Sequence, residues 1–240
     1  MTAFEQILAA RAAEAGIPLT AEQIGQFSVY HGMLLDWNTR MNLTALTAPE
    51  DVAVKHIIDS LMAYDATRFD GARTLIDVGT GAGLPGIPLA VYAPHLTVTL
   101  LDSLNKRVRF LMEVTAAMGL QNVRCIHARA EEAARTAEHR AAYDIAVSRA
   151  VARLLVLLEY TLPFVRVGGT LLALKGRAYA AEQKAARRAA EVLGGGRIMA
   201  RPVHLPGLDD VRVILTVTKE RQTPTAYPRG GGAPTRRPIL

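Results

Sequence analysis

The stretch Leu75-Ile-Asp-Val-Gly-Thr-Gly-Ala-Gly-Leu-Pro-Gly-Ile-Pro-Leu89 joins a short apolar run to a glycine-rich turn and then to a second apolar run. Apolar, β-branched runs bounded by glycines are typical of buried strands. The glycines let the backbone bend tightly and approach a ligand closely, and Pro85 lies near a helix start, where a missing N–H is tolerated. The stretch predicts a strand, a ligand-binding loop and a helix, which together open a doubly wound sheet.

The alternation of strands and helices continues to residue 219. Strands are predicted at Thr74–Gly79, Thr97–Asp102, Val123–Ala128, Tyr143–Ala150, Thr170–Gly176, Ile198–His204 and Val211–Lys219. Helices are predicted at Ile87–Ala93, Lys106–Met118, Ala130–Glu138, Arg153–Val165 and Ala178–Leu193. Such alternation indicates a parallel sheet covered by helices on both faces. The last two strands are close in sequence, which favours an antiparallel edge hairpin. We therefore predict an α/β fold with a Rossmann-like, seven-stranded, mostly parallel sheet.

The first 70 residues have a different pattern, with three predicted helices at 3–15, 20–38 and 49–63. We expect an N-terminal helical subdomain at 1–70, a sheet domain at 71–220 and a tail at 221–240. The tail is rich in Gly, Pro and Arg and shows no apolar periodicity, so we expect a loop or partial disorder until a partner binds.

Charge is distributed unevenly along the chain. The net charge is +6, yet residues 1–70 hold four basic and nine acidic side chains. The tail holds Arg221, Arg229, Arg236 and Arg237, with Glu220 as the one acidic residue beside them. A basic body and tail suit a polyanionic partner such as a nucleic acid. The alternative is a solvated, arginine-rich surface without a partner.

Composition also excludes several classes of protein. A single cysteine, Cys125, excludes an internal disulfide framework and makes a zinc site improbable, so no metal is expected. It lies in VRCIHA, which we interpret as a buried strand. There is no signal segment and no apolar stretch long enough to cross a membrane. The expectation is a cytoplasmic protein, monomeric and not associated with membranes.

The glycine loop is compatible with more than one nucleoside ligand. Dinucleotide sites use Gly-x-Gly-x-x-Gly before a helix that holds pyrophosphate. Here Gly79, Gly81 and Gly83 alternate, and Leu84 occupies the position of the last glycine. Asp77 would repel pyrophosphate and would suit a cationic methionine group. This favours S-adenosylmethionine over NAD.

The residues that follow two further strands also favour S-adenosylmethionine as the ligand. Asp102 ends the second strand, where a carboxylate accepts both ribose hydroxyls, and Ser103 and Leu104 would border an adenine. Ala130 and Glu131 follow the third strand and would edge the same ring. Each position is also a helix start, so capping is the structural alternative.

The residues at the end of the fourth strand limit which kinds of atom are expected to accept a methyl group. It ends in Ser148-Arg149, and not in the Asn-Pro-Pro-Tyr of many amino-methyltransferases of DNA. Carbon methylation of a pyrimidine needs a cysteine nucleophile, which a buried Cys125 does not supply. Guanine N7 has an unprotonated lone pair and needs neither base nor nucleophile, so positioning alone would carry catalysis. Oxygen acceptors on small molecules stay open.

Several blocks together resemble one family. They include Trp37-Asn-Thr-Arg-Met-Asn-Leu-Thr44, Lys55-His-Ile-Ile-Asp-Ser-Leu61, the Leu75–Leu89 stretch, Asp144–Val151, Lys175-Gly176 and Thr223-Pro-x-x-Tyr-Pro-Arg-x-x-Gly-x-Pro234. From about residue 30 onward the chain resembles ribosomal RNA small subunit methyltransferase G, also called glucose-inhibited division protein B. The resemblance implies methyl transfer from S-adenosylmethionine, without a metal, to N7 of guanine 527 of 16S rRNA in the small ribosomal subunit or an assembly intermediate.

The resemblance also implies roles for individual residues. It places cofactor contacts at Gly79, Leu84, Asp102–Leu104, Ala130, Glu131 and Arg149. Arg149 would pair with Asp77 or the methionine carboxylate, or would steer RNA phosphate. The family ending Lys-x-Pro-Leu appears here as Arg236-Arg-Pro-Ile-Leu240.

Further candidates for catalysis or RNA binding lie in the family blocks and in the tail. Asn42 and His56 would cover the methionine end or contact the guanine, with packing as the equal alternative. Arg149 and Lys175 would fix the guanine or a phosphate, and Arg229, Arg236 and Arg237 would bind RNA. Rival interpretations are a small-molecule methyltransferase, an RNA-binding assembly factor without turnover and an NAD oxidoreductase.

Overall fold

A seven-stranded sheet in the order β3-β2-β1-β4-β5-β7-β6 forms the centre of the computed structural model, which describes residues 1–240. The strands are β1 Thr74–Val78, β2 Thr97–Asp102, β3 Val123–His127, β4 Tyr143–Arg149, β5 Val165–Lys175, β6 Gly195–Val203 and β7 Arg212–Lys219. Strands β1 to β5 are parallel, and β7 runs antiparallel to both β5 and β6. The predicted mostly parallel sheet with its antiparallel hairpin is confirmed.

Twelve α-helices surround the sheet. They are α1 Ala3–Glu14, α2 Ala21–Asn38, α3 Pro49–Asp51, α4 Asp59–Leu61, α5 Ala66–Phe69, α6 Gly86–Tyr92, α7 Asn105–Ala117, α8 Ala130–Ala133, α9 Leu154–Thr161, α10 Tyr179–Ala185, α11 Arg187–Val192 and α12 Ala233–Arg236. A π-helix, Val52–Ile58, joins α3 to α4, and a 3-10 turn, Leu162–Phe164, follows α9. None of the helices combines the length and the hydropathy needed to cross a membrane.

The register of the central strands brings three loops to one edge. Asp77 of β1 lies opposite Leu100 of β2 and Val147 of β4. The loops that leave β1, β2 and β4 therefore begin at nearly the same level, at the carboxyl edge of the sheet. Doubly wound sheets bind their ligands at this edge.

The N-terminal helices begin where the sequence provides caps and share the core of the sheet. Thr2 and Thr20 each accept from the third backbone N–H of their helix, and Glu5 and Gln23 bond back to them. Apolar side chains of these helices enter the same core as those of β1 and β2, among them Phe4, Leu8, Phe27, Leu34, Leu75 and Leu100. The helices cover one face of the sheet, and the division at residue 70 stays a prediction from sequence.

Several predicted elements differ in the structure. Strand β3 is not buried: it lies at an edge of the sheet, and Cys125 on it is half-buried, because only β2 flanks it. Helix α8 ends at Ala133 instead of Glu138, and turns follow it. The helix predicted at Ala178–Leu193 is interrupted at Ala186.

The tail also differs from its prediction, since it packs against the body of the protein. It includes the short helix α12, Pro228 and Pro234 are buried, and Ile239 packs against an apolar core. Arginines of the body hold its backbone, because Arg140 donates to the carbonyls of Thr223 and Tyr227 at 2.8 and 2.9 Å. The absence of apolar periodicity did not reveal these contacts.

Candidate functional site

Asp77 organises the glycine loop from the end of β1. Its Oδ2 accepts from the Thr80 hydroxyl at 2.6 Å and from the Gly86 N–H at 2.8 Å. Its Oδ1 is buried and has no partner. Burial raises the pKa of Asp77 to about 7, against the opposing effect of the hydrogen bond from Thr80. Asp77 fastens both ends of the loop to the strand.

Two glycines of the loop are required by its geometry. Gly79 has φ +73°, and a Cβ there would lie 2.6 Å from Cγ2 of Val151. Gly81 has φ +61° and donates its N–H to Oδ2 of Asp102 at 2.9 Å. The loop therefore approaches the β4 loop more closely than a side chain at Gly79 would allow, and Gly81 reaches Asp102 in a backbone conformation that favours glycine.

Asp102 presents a carboxylate between two loops. It is 3% exposed, and its Oδ1 accepts from the Leu104 N–H at 2.9 Å. Arg107 lies 3.5 Å from Oδ2. These contacts fix the orientation of the carboxylate. Oδ1 retains a lone pair for a further donor, whereas Oδ2 accepts from Gly81 and, over a long contact, from Arg107.

A cavity of about 320 Å³ opens beside Asp102, and we call it the Asp102 cavity. It is lined by Val78, Gly79, Leu101, Asp102, Ser103, Ala128, Arg129, Ala130, Glu131, Val151, Tyr160, Gly232 and Thr235. Five of the predicted cofactor residues meet here: Gly79, Asp102, Ser103, Ala130 and Glu131. The lining contains two carboxylates, those of Asp102 and Glu131, which are both nearly buried, and one arginine, Arg129. This excess of negative charge fits a neutral or cationic nucleoside better than a pyrophosphate.

The other predicted cofactor residues do not line this cavity. Asp77, Gly81 and Gly83 shape the loop, and Gly83 packs against Ile87. Leu84 is buried, whereas the side chain of Leu104 is about half exposed. Eight lining residues were not predicted to contact the cofactor: Val78, Leu101, Ala128, Arg129, Val151, Tyr160, Gly232 and Thr235. Of the four that follow residue 131, only Val151 and Gly232 belong to family blocks, so Tyr160 and Thr235 carried no sequence signal.

A second cavity, of about 470 Å³, lies beside Arg149, and we call it the Arg149 cavity. It is lined by Leu46, Lys55, His56, Asp59, Arg149, Ala150, Leu174, Lys175, Gly176, Glu182 and Arg212. Three predicted catalytic residues meet here: His56, Arg149 and Lys175. Asn42 is exposed and does not line it.

Arg149 pairs with Asp59, and not with Asp77 as one interpretation of the sequence held. Its Nη1 donates to Asp59 Oδ2 at 2.8 Å and to the Lys55 carbonyl at 2.9 Å. Arg212 approaches the other oxygen of Asp59 at 3.5 Å. Only Oδ2 of Asp77 is hydrogen-bonded, by its own loop, and Asp59 projects from the helix that faces the end of β4. The guanidinium is thereby held at one wall of the Arg149 cavity.

Lys175 is held in a similar way. Its Nζ donates to Glu182 Oε2 and to the Ala152 carbonyl, each at 2.7 Å. Glu182 Oε2 also accepts from the Leu154 N–H at 2.6 Å. This arrangement ties the ends of β4 and β5 together across the loop at residues 150–153.

His56 is neutral in this setting. Burial and the nearby Arg149 lower the pKa of His56 to about 4. Its Nε2 lies 2.8 Å from the Thr44 hydroxyl. The ring therefore offers hydrogen bonding without charge at neutral pH.

The two cavities lie on either side of one short segment. Ala150, with φ +56°, lines the Arg149 cavity, and the next residue, Val151, lines the Asp102 cavity. The two cavities are therefore neighbours at the carboxyl end of β4.

The predicted RNA-binding arginines of the tail differ in availability. Arg229 forms a bidentate pair with Glu159, with Nη2–Oε2 and Nε–Oε1 distances of 2.6 and 2.9 Å, and Glu159 is 1% exposed. Its side chain is 31% exposed and its charge is paired inside the protein, so we expect a smaller contribution to RNA binding from it than from Arg236 and Arg237. Arg236 and Arg237 are exposed.

Comparisons with known proteins support one family. The sequence model of the family described as GidB, rRNA small subunit methyltransferase G, matches residues 23–205. Ribosomal RNA small subunit methyltransferase G of Alkaliphilus metalliredigens is 48% identical, covering 94% of this chain and 95% of the relative. The protein of that name from Moorella thermoacetica is 45% identical, covering 98% of both.

Solved structures match the fold. An S-adenosylmethionine-dependent methyltransferase, SibL, in its apo form aligns with a TM-score of 0.54 and 17% identity, over 88% of this chain and 77% of that one. A predicted O-methyltransferase from Agrobacterium tumefaciens aligns with a TM-score of 0.53 and 21% identity, over 70% of this chain and 81% of that one. The chain therefore has the fold of the S-adenosylmethionine-dependent methyltransferases and belongs to the rRNA small subunit methyltransferase G family.

Proposed function

We propose that this protein transfers a methyl group from S-adenosylmethionine to N7 of guanine 527 of 16S rRNA. The observation that carries the proposal is the pair of cavities that consecutive residues line, Ala150 the one and Val151 the other. The Asp102 cavity would hold the nucleoside cofactor and the Arg149 cavity the target base. Membership of the family supplies the substrate class.

S-adenosylmethionine supplies a methyl group on a cationic sulfur, which a lone pair attacks directly. Asp102 would accept a ribose hydroxyl with the lone pair that its loop contacts leave free on Oδ1. Ala130 and Glu131 would border the adenine, and Gly79 would let the cofactor approach the backbone closely. These contacts would aim the methyl group toward Ala150.

The groups around the Arg149 cavity suit an acceptor that needs no base. Asp59 and Glu182 are held in ion pairs by Arg149 and Lys175, and His56 lies beside Thr44. Guanine N7 carries no proton, so it would accept the methyl group that bound S-adenosylmethionine supplies without a base to remove a proton. The protein would contribute by positioning the two partners.

The cations of the cavity would hold the RNA around the target. Arg149, Lys175 and Arg212 line it, and a stacked guanine must leave its stack to enter. Arg236 and Arg237 would contact phosphates of the surrounding RNA from the tail. The substrate would be 16S rRNA, either free or in the small ribosomal subunit or its assembly intermediate, and the protein would act on it as a monomer in the cytoplasm.

The test is incubation of the protein with isotope-labelled S-adenosylmethionine and separated ribosomal particles, followed by mapping of the labelled nucleotide. Small subunits that lack the modification are the substrate, and fully modified subunits are the control. Label at N7 of a single guanine of 16S rRNA supports the proposal. Label on a pyrimidine or on protein, or transfer to small molecules without RNA, contradicts it.

A further inference from the structure

The C-terminal segment takes part in forming the Asp102 cavity. Gly232 and Thr235, on either side of the start of α12, are among its lining residues. The remaining lining residues come from loops at the carboxyl edge of the sheet and from α9. A wall formed by the last residues of a chain closes the cavity only while that segment is docked.

A buried ion pair fastens the segment to α9. Glu159 accepts from the backbone N–H of Arg229 at 2.7 Å as well as from its guanidinium. Breaking such a pair leaves an uncompensated buried charge, which makes it a strong anchor. At the next residue of the helix, the Tyr160 hydroxyl lies 3.2 Å from the Thr235 hydroxyl, which ties α12 to α9.

A second anchor comes from the segment that follows Glu131. Arg135 donates to the carbonyls of Pro228 and Ala226 at 2.9 and 3.3 Å, and Arg140 donates to the carbonyl of Tyr227 at 2.9 Å. These arginines extend from the part of the chain that provides Ala130 and Glu131 to the cavity. The tail is thus bound both to α9, which lines part of the cavity, and to the segment that directly follows the lining residues Ala130 and Glu131.

We propose that the segment from Ala226 to Arg237 is the closing wall of the cofactor site, held there by the pairing of Arg229 with Glu159. Thr235 and Gly232 contact the nucleoside cofactor directly, and Arg229 acts as a positioning residue. The inference rests on the proposed function insofar as the ligand is S-adenosylmethionine. It assigns the tail to cofactor retention in addition to any contact with RNA.

The test measures binding of S-adenosylhomocysteine to full-length variants by calorimetry, without RNA. Thr235→Trp places a large ring in the cavity, and Arg229→Gln removes the anchor. Matched controls are Thr225→Trp, at an exposed tail position that does not line the cavity, and Arg221→Gln, a tail arginine that donates to the Glu191 carbonyl.

Both test variants are expected to raise the Kd at least tenfold, while the controls stay within twofold. Hydrogen exchange provides a second readout: ligand should slow exchange of the amides at 229–237 in the wild type and not in Arg229→Gln. If Arg229→Gln unfolds, Thr235→Trp still decides the question, since it leaves the pair between Arg229 and Glu159 intact. A Kd within twofold of wild type for Thr235→Trp overturns the proposal and leaves the proposed function standing, whereas failure of the wild type to bind the ligand counts against the proposed function itself.

Discussion

The buried carboxyl group of Asp77 predicts a specific dependence of stability on pH. Its pKa in the folded protein is about 7, raised from the ordinary value of 3.8 chiefly by burial. Between these two values the folded state binds more protons than the unfolded state, so stability falls as pH rises. The Asp77→Asn variant removes this titration and keeps an oxygen that accepts from Thr80 and Gly86.

The size of the effect follows from the shift. One pKa unit corresponds to about 1.4 kcal/mol, so between pH 5 and pH 8 Asp77 should destabilise the folded state by roughly 2–3 kcal/mol. Urea unfolding gives the unfolding free energy of wild type and variant at both pH values. The change with pH in one protein is then subtracted from the change in the other, so the contributions of all other titrating groups cancel. The control is Asp209→Asn, at an exposed position.

We expect the unfolding free energy of Asp77→Asn to improve relative to wild type on going from pH 5 to pH 8, while Asp209→Asn follows wild type. The amide nitrogen that Asp77→Asn introduces would lack a partner at either pH, which lowers the stability of the variant by a constant amount and does not affect this comparison. Equal changes for wild type and Asp77→Asn would refute the argument from burial.

Three further predictions concern the two cavities and the tail. Asp59→Asn should abolish methyl transfer and leave the Kd for S-adenosylhomocysteine within about twofold, because Asp59 lines only the Arg149 cavity. It should also lower the unfolding free energy by up to about 3–5 kcal/mol, since Arg149 loses a buried partner. If calorimetry shows that cofactor affinity falls as much as methyl transfer does, the result would argue against two separate cavities. Gly79→Ala should weaken cofactor binding at least tenfold, because the new Cβ meets Val151 and the positive φ costs about 1–2 kcal/mol. The double variant with Val151→Ala should recover part of the loss, and Gly32→Ala, in open space on α2, should bind normally. Neutralising Arg236 and Arg237 together should reduce the slope of log K against log salt for small-subunit RNA by about 1–2, at about 0.9 for each phosphate contact. Neutralising Arg229 should leave that slope unchanged, because Glu159 already balances its charge.

The central strands were predictable because the local pattern of residues is enough to indicate a buried strand. The run Thr97–Asp102 consists of threonine, valine and leucine followed by an aspartate, and the strand has those bounds. Asp102 follows a strand whose neighbours were also predicted, so its place at the sheet edge was predicted as well. Strand β3 has a similar apolar pattern, but its exposure depends on whether a strand lies beyond it, which the local sequence does not encode.

The partners of the functional side chains were not predictable in the same way. Arg149 and Asp59 are ninety residues apart in sequence, and Arg229 and Glu159 seventy. Each pairing depends on how a helix or a tail docks on the sheet. The tail itself has too few apolar residues to show a pattern, and its position depends on backbone carbonyls that accept from arginines of the body. The sequence therefore predicted five residues that line the Asp102 cavity, all before residue 132, and none of the lining residues that come later.

The most direct test of the account replaces a single atom of the acceptor. Small subunits reconstituted with 7-deazaguanosine at position 527 of 16S rRNA retain the shape and Watson–Crick edge of the base, but carry carbon in place of N7. The protein should bind these subunits as tightly as unmodified ones and should transfer no methyl group to them. Methylation of the substituted subunits at the same nucleotide would contradict the proposal that the two cavities serve direct transfer to guanine N7.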